Sequence, residues 1–403
     1  MKSLLISGTY FPPQVGGISH FMAAVASALG PRQVCCLTGV PAAGAPTGDL
    51  GPRVYRRPAV FSRSSIVQAA ALSAAITQIM VRERPRVVQL ATAAEGHLGL
   101  WLERSLRLPY VIYAHGNEVL DAIQSAWAKP RLALRHAARV LANSRYTSGL
   151  VEEAGVGRER IEVVHPGCDV ERFRPRPADL DLKRRLLGDR ARDRVILSVG
   201  GLVARKGHDM VIRSLPAVLR RCADVTYLIV ASHRRNYEQL DALARAAGVR
   251  DRVVLAWDVP ADELPRVYAL SDVFVMPSRE DRDGRDTEGF GIVYIEANAC
   301  GKPAVGGRSG GVADAVVEGV TGLLADPHDP ADIAAALVRL LENPDLASRL
   351  GEQGRSRVVH ELSWPRVGAR IQAVLNAVVE EKRRPAEGGS DNGVVKVEPG
   401  RLT

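Results

Sequence analysis

Residues 195–207 read VILSVGGLVARKG. Val195, Ile196, Leu197 and Val199 make a near-continuous apolar run, Gly200 and Gly201 interrupt it, and helical apolar spacing resumes from about His208. Such a run describes a strand covered on both faces, as in a parallel sheet sandwiched by helices, where neither face meets water. The glycine step lets backbone N–H groups approach an anion at a helix start, and Arg205 and Lys206 add two cations at the same turn. The chain opens the same way: Ser3–Ser7, then Gly16 and Gly17, then a helix from about His20 to Leu29. The spacing matches neither Gly-x-Gly-x-x-Gly nor a P-loop, so on the residues alone a tight turn remains an open reading of this second site.

Outward from these two turns, apolar runs alternate with helical segments throughout. The first half has them at 3–7, 33–38, 87–90, 110–114, 139–142 and 161–164, the second at 195–199, 227–231, 253–256, 273–276, 303–306 and 322–324. The segment FRPRPADLDL (173–182), with its prolines and charges, breaks the series, which argues against a single eight-stranded barrel. The expected fold class is α/β, with two doubly wound, Rossmann-like domains spanning 1–178 and 179–363. A last helix over 364–381 follows Ser363, with Pro365 in its first turn, and is expected to pack back on the first domain. The polar Gly/Pro-rich stretch 382–403 reads as a disordered tail.

Composition narrows the function. The 403 residues are 46% hydrophobic and 25% charged, ordinary for a soluble globular chain. Cys35, Cys36, Cys168, Cys222 and Cys300 form no Cys-x-x-Cys pair, so neither a zinc site nor a disulfide framework is indicated and a reducing compartment fits. The amino terminus has one positive charge and a short apolar run, unlike a signal peptide. Residues 64–81 lack charge but are poor in Leu and Phe and read as a core helix rather than a membrane span. The net charge of +9 lies wholly in the first half: 21 Lys/Arg face 12 Asp/Glu up to Ala178, and 33 face 33 beyond it. A basic domain points to an anionic partner, such as an anionic membrane surface. Nucleic acid is not expected, since aromatics are 5% and no nucleic-acid-binding motif occurs.

The richest stretch is EGFGIVYIEANACGKPAV (288–305). A helix starting near Gly291 would aim free N–H groups at an anion, with Glu288 just before it and Glu296 inside it. Anion donors beside hydroxyl acceptors suit a sugar nucleotide, although paired glutamates on a solvated helix face have the same spacing. Asp281, Asp283 and Asp286 are spaced like metal ligands, but Arg279, Arg282 and Arg285 are interleaved with them, and the segment reads as a solvated loop.

Glu288 and Glu296, with seven residues between them, resemble the glutamate-seven-glutamate motif of the retaining GT-B glycosyltransferases of family four. The resemblance is closest to bacterial enzymes of the phosphatidylinositol mannosyltransferase and lipopolysaccharide type. YFPPQVGGIS, AHGNE, ANSRYTSGLV, HPGCDVERFRP, SDVFVMPS and SGGVADAVVEGVTGLL extend it over nearly the whole chain. The family implies two Rossmann-like domains facing a central cleft. It also implies transfer of mannose or another hexose, with retention, from a nucleotide-diphosphate sugar to a lipid-linked or glycan acceptor. By position, Gly16 and Gly17 would approach the donor phosphates, His115 would sit over the transferred sugar, and Lys206 with Arg205 would neutralise the leaving diphosphate. Glu288 would bind sugar hydroxyls, backbone N–H groups of Phe290, Gly291 and Ile292 would contact sugar and phosphate, and Glu296 would accept from the ribose. No cofactor and no metal are expected, since cations and helix N-termini can stabilise the leaving group. The implied setting is cytoplasmic, or peripheral on the inner face of the membrane. Many relatives carry an arginine five residues before the phosphate-binding lysine, where this chain has Gly201. Two rival readings are a nucleotide-sugar epimerase of the same fold and a catalytically silent membrane-associated scaffold.

Overall fold

A computed structural model describes residues 1–383 except 15, 41–50, 62–64, 125–127, 233, 258, 282–283 and 285. Two parallel sheets organise it. The first has seven strands: β1 (Ser3–Ser7), β2 (Val34–Thr38), β3 (Val54–Arg56), β4 (Val87–Leu90), β5 (Tyr110–Ala114), β6 (Arg139–Ala142) and β7 (Ile161–Val163), in the order β3-β2-β1-β4-β5-β6-β7. The second has six: β8 (Arg194–Val199), β9 (Val225–Val230), β10 (Val253–Ala256), β11 (Val273–Met276), β12 (Ala304–Gly307) and β13 (Gly322–Ala325), in the order β10-β9-β8-β11-β12-β13. The expected runs all become strands, shifted at their ends by up to two residues. β3 is an addition: three residues at a sheet edge are too few to carry a period.

Strand parity builds a core on each face of the first sheet. Leu4, Ile6, Cys35, Leu37, Val88 and Leu90 point to one face, and Leu5, Cys36, Val87, Val111 and Tyr113 to the other. Of the uncharged segment 64–81, residues 65–81 lie in the helix Ser65–Glu83, which buries Leu72, Ala75, Ile76 and Ile79 against the first of these faces. Among the described residues no helix is long and apolar enough to cross a membrane.

The opposite face is covered by the first helix (Gly17–Leu29) together with the carboxyl-terminal helix (Trp364–Arg383), which adds Val367, Ile371, Leu375 and Val378. Gly368 makes the close approach between these helices feasible, since a Cβ there would lie 2.9 Å from the Ala28 Cβ. The terminal helix runs two residues beyond its expected end, so Lys382 and Arg383 belong to it rather than to a tail; Lys382 pairs with Glu103 at 3.5 Å. Residues 384–403 lie outside the described residues. The chain thus passes twice between the sheets, at Cys168 and at Ser363, and the crossings are joined: Cys168 N–H donates to the Leu362 carbonyl at 2.8 Å. Phe173 and Leu182 already pack in the second core.

Candidate functional site

In open parallel sheets, ligands bind beyond the carboxyl ends of the strands, where side chains and loop backbone converge. Here those ends face each other. His115 follows β5, Asn143 follows β6 and Pro166 lies just after β7, while Gly200 to Lys206 follow β8 and Thr287 to Val293 come from the long connection after β11. Together with Gly17, Ile18 and Phe21 at the start of the first helix they line an interdomain cleft of about 440 Å³.

The charged groups of the cleft are already paired with each other. Lys206 Nζ donates to Glu288 Oε2 at 2.6 Å, and Arg205 Nη1 donates to the same oxygen at 2.7 Å. Arg205 Nε lies 2.7 Å from Asp286 Oδ1. Burial pushes the Glu288 carboxyl up, but Lys206 and Arg205 beside it outweigh this and hold it below the ordinary carboxylate range. Arg205 and Lys206 are thus balanced by Glu288 in the cleft and by Asp286 beyond its lining, and an incoming dianion would compete with Glu288 for its cations.

Across the cleft, the His115 N–H donates to Glu118, its Nε2 lies 3.0 Å from the Ala91 carbonyl, and its ring sits edge-on to Phe21. Asn143 Nδ2 donates to the His115 carbonyl at 3.0 Å, which leaves Asn143 Oδ1 facing inward, buried and without a hydrogen-bond partner. A buried acceptor in that state costs about 1–3 kcal/mol until a donor reaches it. Gly16, at the cap position of the first helix, receives His20 through its carbonyl. Phe290, Gly291 and Ile292 bring the N-terminal turn of the helix Ile292–Ala299 to the cleft wall.

Glu296 sits elsewhere than Glu288. Eight residues along, it lines a neighbouring cavity of about 630 Å³ that shares Phe21 and Ile292 with the cleft. Tyr268 Oη donates to Glu296 Oε2 at 2.8 Å, and burial pushes the Glu296 carboxyl up to about 7.

The aspartate segment departs from the solvated-loop expectation. Asp286 accepts from Asn117 Nδ2 at 2.7 Å and forms an ion pair with Arg205, while Asn117 Oδ1 accepts from the Thr287 N–H at 3.0 Å. Asn117 stands inside the AHGNE motif, so its presence near the site was legible; its partner was not. Arg282, Asp283 and Arg285 lie outside the described residues. Among the described residues no three His, Cys, Asp or Glu side chains come together as a metal site. Asp179 and Asp181, with Asp-x-Asp spacing, serve a helix start instead: Asp179 Oδ1 accepts from the Leu182 N–H at 2.9 Å, and its other oxygen pairs with Arg266.

Comparison with known proteins bears on the family and the fold. Residues 15–172 match the family model Glycosyltransferase Family 4, and residues 181–357 match Glycosyl transferases group 1. A GDP-mannose-dependent alpha-(1-6)-phosphatidylinositol monomannoside mannosyltransferase of Mycolicibacterium smegmatis is 33% identical over 94% of this chain and 100% of its own. The GDP-mannose-dependent monoacylated alpha-(1-6)-phosphatidylinositol monomannoside mannosyltransferase of Corynebacterium glutamicum is 30% identical over 93% and 98%. Among solved structures, Anabaena HepE with UDP and glucose superposes with a TM-score of 0.74 at 22% identity, over 94% of this chain and 100% of HepE. WaaG, a glycosyltransferase involved in lipopolysaccharide biosynthesis, gives 0.65 at 18% identity over 92% and 99%. The two facing Rossmann-like domains are the GT-B fold, and the chain belongs to the glycosyltransferases of family four and group 1.

Proposed function

We propose that this glycosyltransferase moves mannose from GDP-mannose to a phosphatidylinositol mannoside, with retention at the anomeric carbon and without a metal ion. The observation that carries the reading is the ion-paired group Arg205, Lys206 and Glu288 facing His115 across one cleft. The choice of donor and acceptor rests on end-to-end similarity to the two mannosyltransferases.

An acceptor hydroxyl attacks the anomeric carbon on the face from which the diphosphate departs; the new C–O bond forms as the old one breaks, and a leaving phosphate oxygen takes the proton. No side-chain nucleophile is needed, so the protein's contribution is positioning and charge stabilisation. Arg205 and Lys206 meet the diphosphate, supported by N–H groups from Phe290 to Ile292 and by the close backbone of Gly16 and Gly17. Glu288, released from its cations, takes sugar hydroxyls, as does the unpaired Asn143 Oδ1. His115 stands over the sugar, and Glu296 serves the ribose from the adjoining cavity. The basic first domain holds the lipid acceptor at an anionic membrane surface, each cation near it contributing about 1 kcal/mol.

The test is turnover of GDP-mannose with monomannosylated phosphatidylinositol in excess EDTA. GDP and an α-linked dimannosylated lipid are expected. Epimerised donor, or no consumption at all, would establish one of the rival readings. Turnover lost in EDTA and restored by Mg²⁺ would refute the metal-free account.

A further inference from the structure

Gly201 offers no side chain to the diphosphate, so the charge that the proposed reaction needs falls to Arg205 and Lys206. Arg205 is held in an unusual way. Its Nη1 donates to Glu288, the group that a donor would displace, while its Nε stands as an ion pair 2.7 Å from Asp286 Oδ1, and Asp286 lines no part of the cleft. Asp286 in turn is fixed by Asn117, whose amide donates to Asp286 Oδ1 and accepts from the Thr287 N–H, so both ends of the amide are committed. Asn117 begins a helix of the first domain, two residues after His115, whereas Arg205, Asp286 and Thr287 all belong to the second. A donor that displaced Glu288 would free Nη1 toward the cleft while Asp286 still stood beside Nε.

We propose that Asp286 and Asn117 are positioning residues, which act through Arg205 to place the leaving-group cation that Gly201 does not supply. The chain Arg205–Asp286–Asn117 spans the domains, so the cation is set only where the cleft is closed. This rests on the reading of Arg205 as a diphosphate contact.

The test is a double-substitution cycle on the full chain, with GDP affinity read by calorimetry. GDP carries the full charge of the leaving group, so Asp286→Asn should weaken it and lower kcat by about tenfold each, with the KM for GDP-mannose within about twofold. Arg205→Lys has no Nε to be held, and adding Asp286→Asn to it should cost nothing further. Asn117→Ala should reproduce the Asp286→Asn loss, and Gly201→Arg should recover part of it. Additive losses in the cycle, or wild-type GDP affinity and kcat in both Asp286→Asn and Asn117→Ala, overturn the proposal. Should Asp286→Asn melt unfolded, Asn117→Ala against Arg205→Lys runs the same cycle. A wild-type chain that binds GDP but transfers no mannose sinks the functional reading and leaves the cycle intact; one that binds neither GDP nor UDP overturns both.

Discussion

Glu288 and Glu296 belong to one motif and meet two different environments. Glu288 is held ionised by Lys206 and Arg205, while Glu296, buried against Tyr268, has its carboxyl pushed up to about 7. The linkage consequences are opposite in sign. Glu288 contributes stability that is present above the ordinary carboxyl pKa of 4.5 and is lost as pH falls below it. Glu296 retains a proton in the folded chain that the unfolded chain has released, so its contribution is full below pH 4.5 and disappears as pH rises to about 7. Glu296→Gln, which cannot ionise, should therefore gain on the wild type by a few degrees in melting temperature between pH 5 and pH 8. A constant difference over that range would show that Glu296 titrates normally. In kinetics, Glu288→Gln should lower kcat more than it raises the donor KM, because a sugar contact acts most in the transition state, and Glu296→Gln should do the reverse. Equal small effects in both variants would remove the division of roles.

At the scale of elements, the carboxyl-terminal helix acts as part of the first domain's core although it follows the second domain in sequence. Ile371 is fully buried between the first helix and the sheet. Ile371→Ala removes three methyl-sized groups from a packed site, and should cost about 2–5 kcal/mol, visible as a fall in the denaturant midpoint. A loss below about 0.5 kcal/mol, the scale of a surface change, would mean that the helix is only loosely docked. The apolar spacing of 364–381 made this helix legible, and its apolar stripe demanded a partner. Its docking on the first helix depends on Gly368 meeting Ala28, a contact between residues 340 positions apart that no local pattern encodes.

Over the whole molecule, closure rests on backbone contact and on polar ties between the described residues, one of them from Gln124 Nε2 to the Gly284 carbonyl at 3.4 Å. Asn117 bonds the Asp286–Thr287 segment, Tyr146 Oη donates to Glu280 Oε1 at 2.7 Å, and Asp314 accepts from both the N–H and the side chain of Arg145 at the start of the helix Arg145–Glu153. Gly289 sits where the domains touch: a Cβ there would come within 1.9 Å of the His115 carbonyl oxygen. Gly289→Ala should wedge the cleft open. With the reacting groups displaced by an ångström or so, kcat should fall roughly a hundredfold, and GDP affinity by about tenfold, since opening also parts Asn117 from Asp286. Unchanged kcat would show that turnover does not use the closed arrangement described here.

Two parallel sheets, their strand runs and a few of their helices were determined by the sequence alone, because burial on both faces writes near-continuous apolar runs at VCCLT, YVIYA and VILSV, and glycine steps mark where β1 and β8 turn to a helix. The edge strand Val54–Arg56 escaped that logic, being too short and half-exposed. The cations and glutamates of the site could be named from their motifs, but their pairing could not. Glu288 and Glu296 look equivalent along the chain, and only the path of the helix Ile292–Ala299 puts one in the cleft and the other in the cavity beside it. Asp286 read as a solvated loop residue because its sequence neighbours are charged. Its actual partners, Arg205 and Asn117, lie 81 and 169 positions away, the first brought to it by the fold of the second domain and the second only where the two domains meet, and electrostatic pairing depends on distance in space rather than on separation in sequence.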